Sequence, residues 1–131
     1  MYDYKRELGY LLEGMTRLRD SYQSELAQCP PGRLWKTIKN DKPCYFRAYR
    51  VGERYVRQSI SNDDEMKQTL ARKAFLEQNI KWLEFNIQIL TRTLNRFHAT
   101  GCADVIRALP RSYQSLPPNF FSGETEGEYR I

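Results

Sequence analysis

Two long apolar stripes, on either side of a segment with β-type alternation, constrain the fold of this chain most. Apolar residues recur between positions 4 and 22 at spacings of 4, 3, 4, 3 and 4, and between positions 76 and 97 at 4, 3, 4, 3, 4 and 3. Such heptad spacing is typical of helices that pack against each other in a coiled coil. The first stripe is Tyr4, Leu8, Leu11, Met15, Leu18 and Tyr22, and the second is Leu76, Ile80, Leu83, Ile87, Leu90, Leu94 and Phe97.

The sequence also marks where these two helices end. Pro30-Pro31-Gly32 ends the first, because proline has no amide hydrogen and disfavours helical backbone in the residue before it. Ser61, followed three residues later by an aspartate, predicts the cap of the second. We expect helices over about 2–28 and about 63–98. Four residues before the second stripe are expected to pack on the sheet: Met66, Leu70, Ala74 and Phe75.

Between the helices, apolar and polar residues alternate with a period of two, which is typical of β-strands. We predict three strands, at 34–38, 44–50 and 54–59, with turns at 40–43 and 51–53. Gly52 is expected to take a positive φ in the second turn. Sorting odd from even positions assigns Leu34, Ile38, Phe46, Ala48, Val56 and Ile60 to a core face. It assigns Trp35, Thr37, Tyr45, Arg47, Tyr49, Tyr55 and Arg57 to the opposite face.

The positive charge of the chain is concentrated in the same segment. The chain has 21 Lys and Arg against 16 Asp and Glu, hence +5, and residues 33–57 alone have eight basic and two acidic residues, hence +6. Clustered positive charge is typical of a surface that binds a polyanion. The predicted nucleic-acid-binding residues are Arg33, Trp35, Lys36, Lys39, Lys42, Tyr45, Arg47, Tyr49, Arg50, Arg54, Tyr55 and Arg57.

Two interpretations of the basic, aromatic face stay open. In the first, it is an ordinary solvated sheet face on which Tyr–Arg cross-strand pairs add stability. In the second, Arg and Lys neutralise phosphates or reach base edges, while Tyr and Trp stack on bases or pack on sugars. The local charge favours the second interpretation. Duplex DNA is the preferred ligand, with RNA and an acidic protein surface as alternatives.

The other motifs do not indicate catalysis or a cofactor. Cys29, Cys44 and Cys102 lack C-x-x-C spacing and are expected to be reduced thiols, and a zinc site would need more ligands than His98 can add. The acidic cluster at 63–65 lies where a helix begins, a place that favours negative charge without any catalysis. We therefore expect a non-enzymatic protein without a metal, a cofactor or a small-molecule substrate.

The two ends of the chain bear on its cellular location and on the boundaries of its domain. The N-terminus is polar, and no run approaches the roughly 18 apolar residues of a membrane span. We expect a cytoplasmic protein that does not contact membranes. Short helices are expected at 103–109 and 112–116, within a single domain over 1–121, and residues 122–131 read as a flexible acidic tail.

These elements together predict an α+β fold, in which an antiparallel two-helix coiled coil carries a three-stranded antiparallel β-meander at its tip and short helices at its C-terminal end. Trp82, Phe85 and Ile89 lie off the heptad seam, so either the tail or a partner chain covers them. We favour a homodimer through the helices. The alternative to nucleic-acid binding is accordingly a coiled-coil structural or interaction module that oligomerises or positions a partner domain.

The meander also resembles a known DNA-binding family. The runs Gly32-Arg33-Leu34-Trp35, Tyr45-Phe46-Arg47-Ala48-Tyr49 and Gly52-Glu53-Arg54-Tyr55-Val56 are similar to the arm-site DNA-binding domain of tyrosine integrases. In that family a three-stranded sheet enters the major groove and a helix packs behind it. Over residues 32–75, the resemblance implies DNA contacts from Trp35, Tyr45, Arg47, Tyr49, Arg54, Tyr55 and Arg57.

A broader resemblance covers residues 5–121. The leucine-striped helix, the Pro-Gly break, the aromatic meander, the long helix and Leu116-Pro117-Pro118 resemble an uncharacterised bacterial family. In that family such a module precedes a restriction-endonuclease-like PD-(D/E)XK domain. This sequence has no Pro-Asp…(Asp/Glu)-x-Lys signature, so no nuclease residues are carried over.

Overall fold

The computed structural model describes residues 3–123, so the predicted acidic tail lies outside the described residues from position 124 onward. The elements in chain order are α1 (Tyr4–Ala27), β1 (Arg33–Lys39), β2 (Lys42–Val51), β3 (Arg54–Ser59), α2 (Asp64–Arg96), α3 (Cys102–Arg107) and two 3-10 turns (Arg111–Tyr113 and Pro118–Phe120). The strands form an antiparallel meander in the order β1-β2-β3. The predicted α+β class is confirmed, and the long helices and strands end within two residues of their expected bounds.

The chain divides into two compact units, residues 13–89 and the segments 3–12 and 90–123 together. The first unit contains the sheet and the buried core, to which the end of β3 and one side of α2 contribute. The core side chains are Ile60, Leu70, Leu76, Ile80 and Leu83. Among residues 3–123, no helix is long and apolar enough to cross a membrane.

Two-residue turns set the register of the sheet. Asn40 and Asp41 both take positive φ values, 53° and 60°, which is the geometry of a type I′ hairpin turn. Gly52, at a φ of 63°, opens the second turn. Because each loop has two residues, odd positions of one strand pair with even positions of the next: Lys39 pairs with Lys42, and Val51 pairs with Arg54.

This register contradicts the predicted assignment of faces. Directly paired residues share a face in an antiparallel sheet, and Leu34 is paired with Arg47, whereas Phe46 is paired with Trp35. Ile38, predicted to be core, is 71% exposed. One face, called here the outer face, holds Arg33, Trp35, Thr37, Lys39, Lys42, Cys44, Phe46, Ala48, Arg50, Tyr55, Arg57 and Ser59. The helix-facing side holds Leu34, Lys36, Ile38, Pro43, Tyr45, Arg47, Tyr49, Val51, Arg54, Val56, Gln58 and Ile60.

The cap of α2 is Asp63 rather than the predicted Ser61. The amide of Met66 donates a hydrogen bond of 3.0 Å to Asp63 Oδ1, which is the N-cap geometry. The Ser61 hydroxyl instead accepts a hydrogen bond of 3.0 Å from the amide of Tyr45. Ser61 therefore ties β2 to the segment that leads into α2, and this contact helps to hold the sheet against the helix.

Within residues 13–89, α1 and α2 run antiparallel. The Tyr22 and Phe75 rings meet edge to face at 6.3 Å, and three residues further along α1 the Glu25 carboxylate accepts two hydrogen bonds from Arg72, at 2.7 and 2.9 Å. As the position increases in α1, its contact in α2 moves to a lower number, which is the antiparallel direction. Coiled-coil packing along the whole of both helices stays a prediction. Phe75 is expected to pack on the sheet; its ring contacts Tyr22 of α1, and the residue is 49% exposed.

The two predicted stripes fare differently. In α2, Leu76, Ile80 and Leu83 are buried as expected. In α1 the stripe is wrong in part, since Tyr4, Leu11 and Leu18 are exposed. The half-buried apolar residues of α1 are Leu8, Leu12, Met15, Tyr22 and Leu26, so three members of the predicted stripe are retained and Leu12 and Leu26 join them.

Candidate nucleic-acid interface

The outer face brings together seven of the twelve predicted binding residues. They are Arg33, Trp35, Lys39, Lys42, Arg50, Tyr55 and Arg57. Each of the seven is exposed, and the most exposed aromatic ring is that of Tyr55, at 75%. The strand residues of this face include five cations and no acid, because Asp41 and Glu53 lie in the turns. The face therefore carries a positive potential that no neighbouring carboxylate on the same strands offsets.

Arg57 forms the centre of this face. Its guanidinium carbon lies 3.8 Å from the centroid of the Trp35 ring and 4.9 Å from that of Phe46. Trp35 and Phe46 are direct cross-strand partners, while Arg57 comes from β3, opposite Ala48. The small Ala48 side chain leaves room for the long arginine to lie across the sheet. Stacking holds the guanidinium plane in place, and its N–H groups can bind an anion or a base edge.

A second arginine–aromatic pair lies next to the turn between β2 and β3. The Arg50 guanidinium carbon is 5.0 Å from the Tyr55 ring centroid, and the two residues are cross-strand partners. Lys39 and Lys42 are also partners, at the Asn40-Asp41 turn. Positive groups thus line the whole length of the outer face, and two of them are positioned by aromatic rings.

The helix-facing side holds the other five predicted binding residues: Lys36, Tyr45, Arg47, Tyr49 and Arg54. Arg47 has structural partners there, since its Nε donates to the Pro31 carbonyl at 3.0 Å and its guanidinium carbon lies 4.3 Å from the Tyr49 ring centroid. Tyr45 lies beneath Lys67 of α2, at 4.8 Å. The structure therefore separates Arg47 from Arg57, which the sequence analysis had placed on one face.

The segment that leads into β1 lies close to β2 and is hydrogen-bonded to α2. Gly32 has a φ of 112°, and a Cβ added there would lie 2.9 Å from the Ala48 carbonyl oxygen. Lys73 of α2 donates from Nζ to the carbonyls of Pro30 and Gly32, at 3.0 Å each. The lysine satisfies two backbone acceptors that the turn would otherwise leave unpaired. Its charge is thus used to support the sheet and does not belong to the outer face.

Phe46 is the residue of this site that the sequence analysis missed, because it was assigned to the core. The signal that could have found it is the Asn40-Asp41 pair. Asn and Asp tolerate positive φ and favour a two-residue type I′ turn. Counting back from that turn pairs Lys39 with Lys42 and places Phe46 opposite Trp35, on the outer face.

Other chemistries find little support in the described part of the chain. Among residues 3–123, no three His, Cys, Asp or Glu side chains come together in a way that could hold a metal ion. Cys29, Cys44 and Cys102 are free thiols, as expected. The hydrogen bonds from Arg72 lower the pKa of the Glu25 carboxyl, but this pair joins α1 to α2 away from the outer face. No protein-family model matches the chain, and a comparison with curated proteins and with solved structures finds none that is similar.

Proposed function

We propose that this protein is a non-enzymatic nucleic-acid-binding module and that the outer face of its sheet is the binding surface, with duplex DNA as the favoured ligand. The observation that carries the proposal is the Arg57 guanidinium stacked on Trp35 and Phe46, among four further cations and no acid on the same strand face. A phosphate backbone supplies the regular negative charge that such a face complements. We place the protein in the cytoplasm, a compartment in which free thiols such as those of Cys29, Cys44 and Cys102 persist.

The roles within the proposed site follow from the chemistry of each side chain. Lys39, Lys42 and Arg33 are exposed and suited to phosphates, which position a ligand without reading its sequence. Arg57 is held on two rings and can present two N–H groups to one acceptor pair, as in arginine contacts to guanine. Tyr55 offers an exposed ring for packing on sugars or bases.

The test is a fluorescence anisotropy titration of the purified chain against a short labelled duplex in increasing salt. If all five outer cations neutralise phosphates, log K falls against log salt with a slope of about −4.5, and the affinity drops roughly 500-fold between about 50 and 200 mM salt. Absence of binding at low salt, or a slope near zero, would refute the proposal.

The choice of duplex DNA is tested in parallel arms of the same assay. Single-stranded DNA, duplex RNA and poly-glutamate of matched length represent the competing polyanions. The proposal expects the duplex DNA to bind most tightly at equal salt. Tighter binding of poly-glutamate would instead indicate an acidic protein partner, and tighter binding of either of the other nucleic acids would replace the favoured ligand.

A second candidate function, protein interaction through α2, is favoured by a separate observation. Trp82 and Phe85 are 63% and 62% exposed, although they are large apolar side chains on a long helix. Isolated exposed apolar residues are ordinary, but a contiguous set marks an interaction surface. This surface lies on α2, whereas the proposed nucleic-acid site lies on the strands, so one chain can have both functions.

A further inference from the structure

A second heptad stripe runs along α2 on the side of the helix away from the buried one. Its members are Phe75, Gln78, Trp82, Phe85 and Ile89, at spacings of 3, 4, 3 and 4. All five are exposed in the described chain, and the four apolar ones are 49%, 63%, 62% and 47% accessible. Heptad spacing over two heptads is the pattern of a surface that another helix covers. We call this set the second stripe.

Contacts with α1 extend the apolar surface on one side. Phe75 packs edge to face on Tyr22, and Leu18, one turn before Tyr22 on the same side of α1, is exposed. On the other side, Trp82 and Phe85 line a shallow groove of about 630 Å³ with polar side chains along its edge. Within residues 13–89, the second stripe therefore adjoins Tyr22 of α1 through Phe75 and borders the groove through Trp82 and Phe85.

The size of this surface matches one side of a dimer interface. Aromatic side chains bury about 150–250 Å² each, so the exposed parts of the three rings amount to roughly 350 Å² of apolar area. Leu18 and Ile89 raise the total to roughly 450–500 Å². A standard interface buries about 800 Å² on each partner, of which about 56–65% is apolar, or roughly 450–520 Å².

The charges next to the second stripe favour a second copy over a charged partner. Its flanking positions are mostly neutral, with Ala74, Asn79, Asn86 and Gln88 beside it. Glu77 and Glu84 lie one turn away on either side of Lys81 and offset its field, and Arg72, whose guanidinium carbon lies 5.2 Å from the Phe75 ring centroid, is paired with Glu25 of α1. Two copies can approach here with little repulsion, because residues 33–57 carry the positive excess of the chain.

We infer that the second stripe is a homodimer interface, in which α2 of one chain packs on the α2 surface of a second copy. The inference rests on the second candidate function, for which it names the partner, and it does not depend on nucleic-acid binding. In the dimer, Trp82 and Phe85 are the side chains expected to dominate the affinity, since buried central aromatic residues usually do.

Sedimentation equilibrium of the full chain over a range of concentrations tests the inference. The wild type is expected to be dimeric at high concentration and to dissociate on dilution. A hot-spot substitution costs roughly 30-fold in affinity, so Trp82→Glu, present in both copies, should weaken the dimer roughly 1,000-fold. Phe120→Glu is the matched control, because Phe120 is 64% exposed but lies outside the second stripe. A dimer that survives Trp82→Glu, or that Phe120→Glu disrupts equally, overturns the inference.

A spectroscopic readout keeps the test independent of how the variant folds. In a Trp35→Phe chain, Trp82 is the sole tryptophan, so its emission should shift to the blue and resist acrylamide quenching as the concentration rises. A monomer whose Trp82 stays accessible to water overturns the homodimer and leaves the surface open to a different partner. A monomer whose Trp82 is shielded at every concentration shows that its own chain covers the surface, and then the second candidate function fails as well.

Discussion

The separation of Arg57 from Arg47 gives the sharpest prediction, because the two arginines were indistinguishable by alternation alone. Arg57→Gln removes a guanidinium from the centre of the outer face, whereas Arg47→Gln removes one from the helix-facing side. Loss of a single phosphate contact should change the slope of log K against log salt by about 0.9. At about 0.1 M salt this corresponds to a roughly eightfold weaker affinity for duplex DNA, from counterion release alone.

Arg47→Gln should act on stability instead of binding. It loses the hydrogen bond to the Pro31 carbonyl and the stacking on Tyr49, together worth about 1–2 kcal/mol of unfolding free energy. The assay is anisotropy with a labelled duplex for both variants, at a temperature where circular dichroism shows both folded, with the Arg92→Gln/Arg96→Gln double variant of α2 as the charge control. If Arg47→Gln or the α2 double variant weakens binding as much as Arg57→Gln does, the assignment of the outer face is refuted.

Three further predictions concern contacts that stabilise the fold, and each is measured by urea denaturation. Gly32→Ala should destabilise the fold by about 2 kcal/mol or more, because Gly32 has a φ of 112° and the added Cβ would meet a carbonyl oxygen. Gly14→Ala in α1, where nothing lies within 4 Å of the added Cβ, should stabilise the fold by about 1 kcal/mol. Equal effects of the two substitutions would contradict the close approach at Gly32. Lys73→Met should lower the free energy of unfolding by about 1–3 kcal/mol, because it leaves two carbonyls without a donor. A neutral result would show that water replaces the lysine. Lys81→Met, about two turns further along α2, is the control. The hydrogen bonds from Arg72 lower the pKa of Glu25 in the folded state, so this pair stabilises the fold above the unfolded-state pKa of about 4.3, and the contribution is lost as the pH falls through the lower folded-state value. Glu25→Gln should therefore be less stable than the wild type near neutral pH, and its stability should change less between neutral and acid pH. An unchanged acid response would contradict the pair.

Much of the fold could be predicted because local signals agree with it. The Pro30-Pro31-Gly32 break, the period-two alternation and the long run without Gly or Pro each depend on backbone chemistry that acts within a few residues. The buried stripe of Leu76, Ile80 and Leu83 followed from helical periodicity alone. These features need no knowledge of which elements meet.

The sequence-based predictions are wrong where a face depends on how one strand or helix pairs with another. The face of Phe46 is set by the two-residue turn at Asn40-Asp41, which pairs odd positions of β1 with even positions of β2, whereas alternation alone puts the even positions of all strands on one face. In α1, Leu11 and Leu18 satisfy a heptad frame, but the side that packs depends on the contact between Tyr22 and Phe75. Alternation identifies two faces within each strand or helix, and only the register between elements says which faces coincide.

The two tryptophans allow the central claim to be tested in a single measurement. Trp35 lies on the outer face beneath Arg57, and Trp82 lies on α2 in the second stripe. In a ¹⁵N correlation spectrum, titration with duplex DNA at low salt should shift the indole Nε1–H resonance of Trp35 and leave that of Trp82 in place. A shift confined to Trp82, or no shift of Trp35 at saturating DNA, would contradict the assignment of nucleic-acid binding to the outer face.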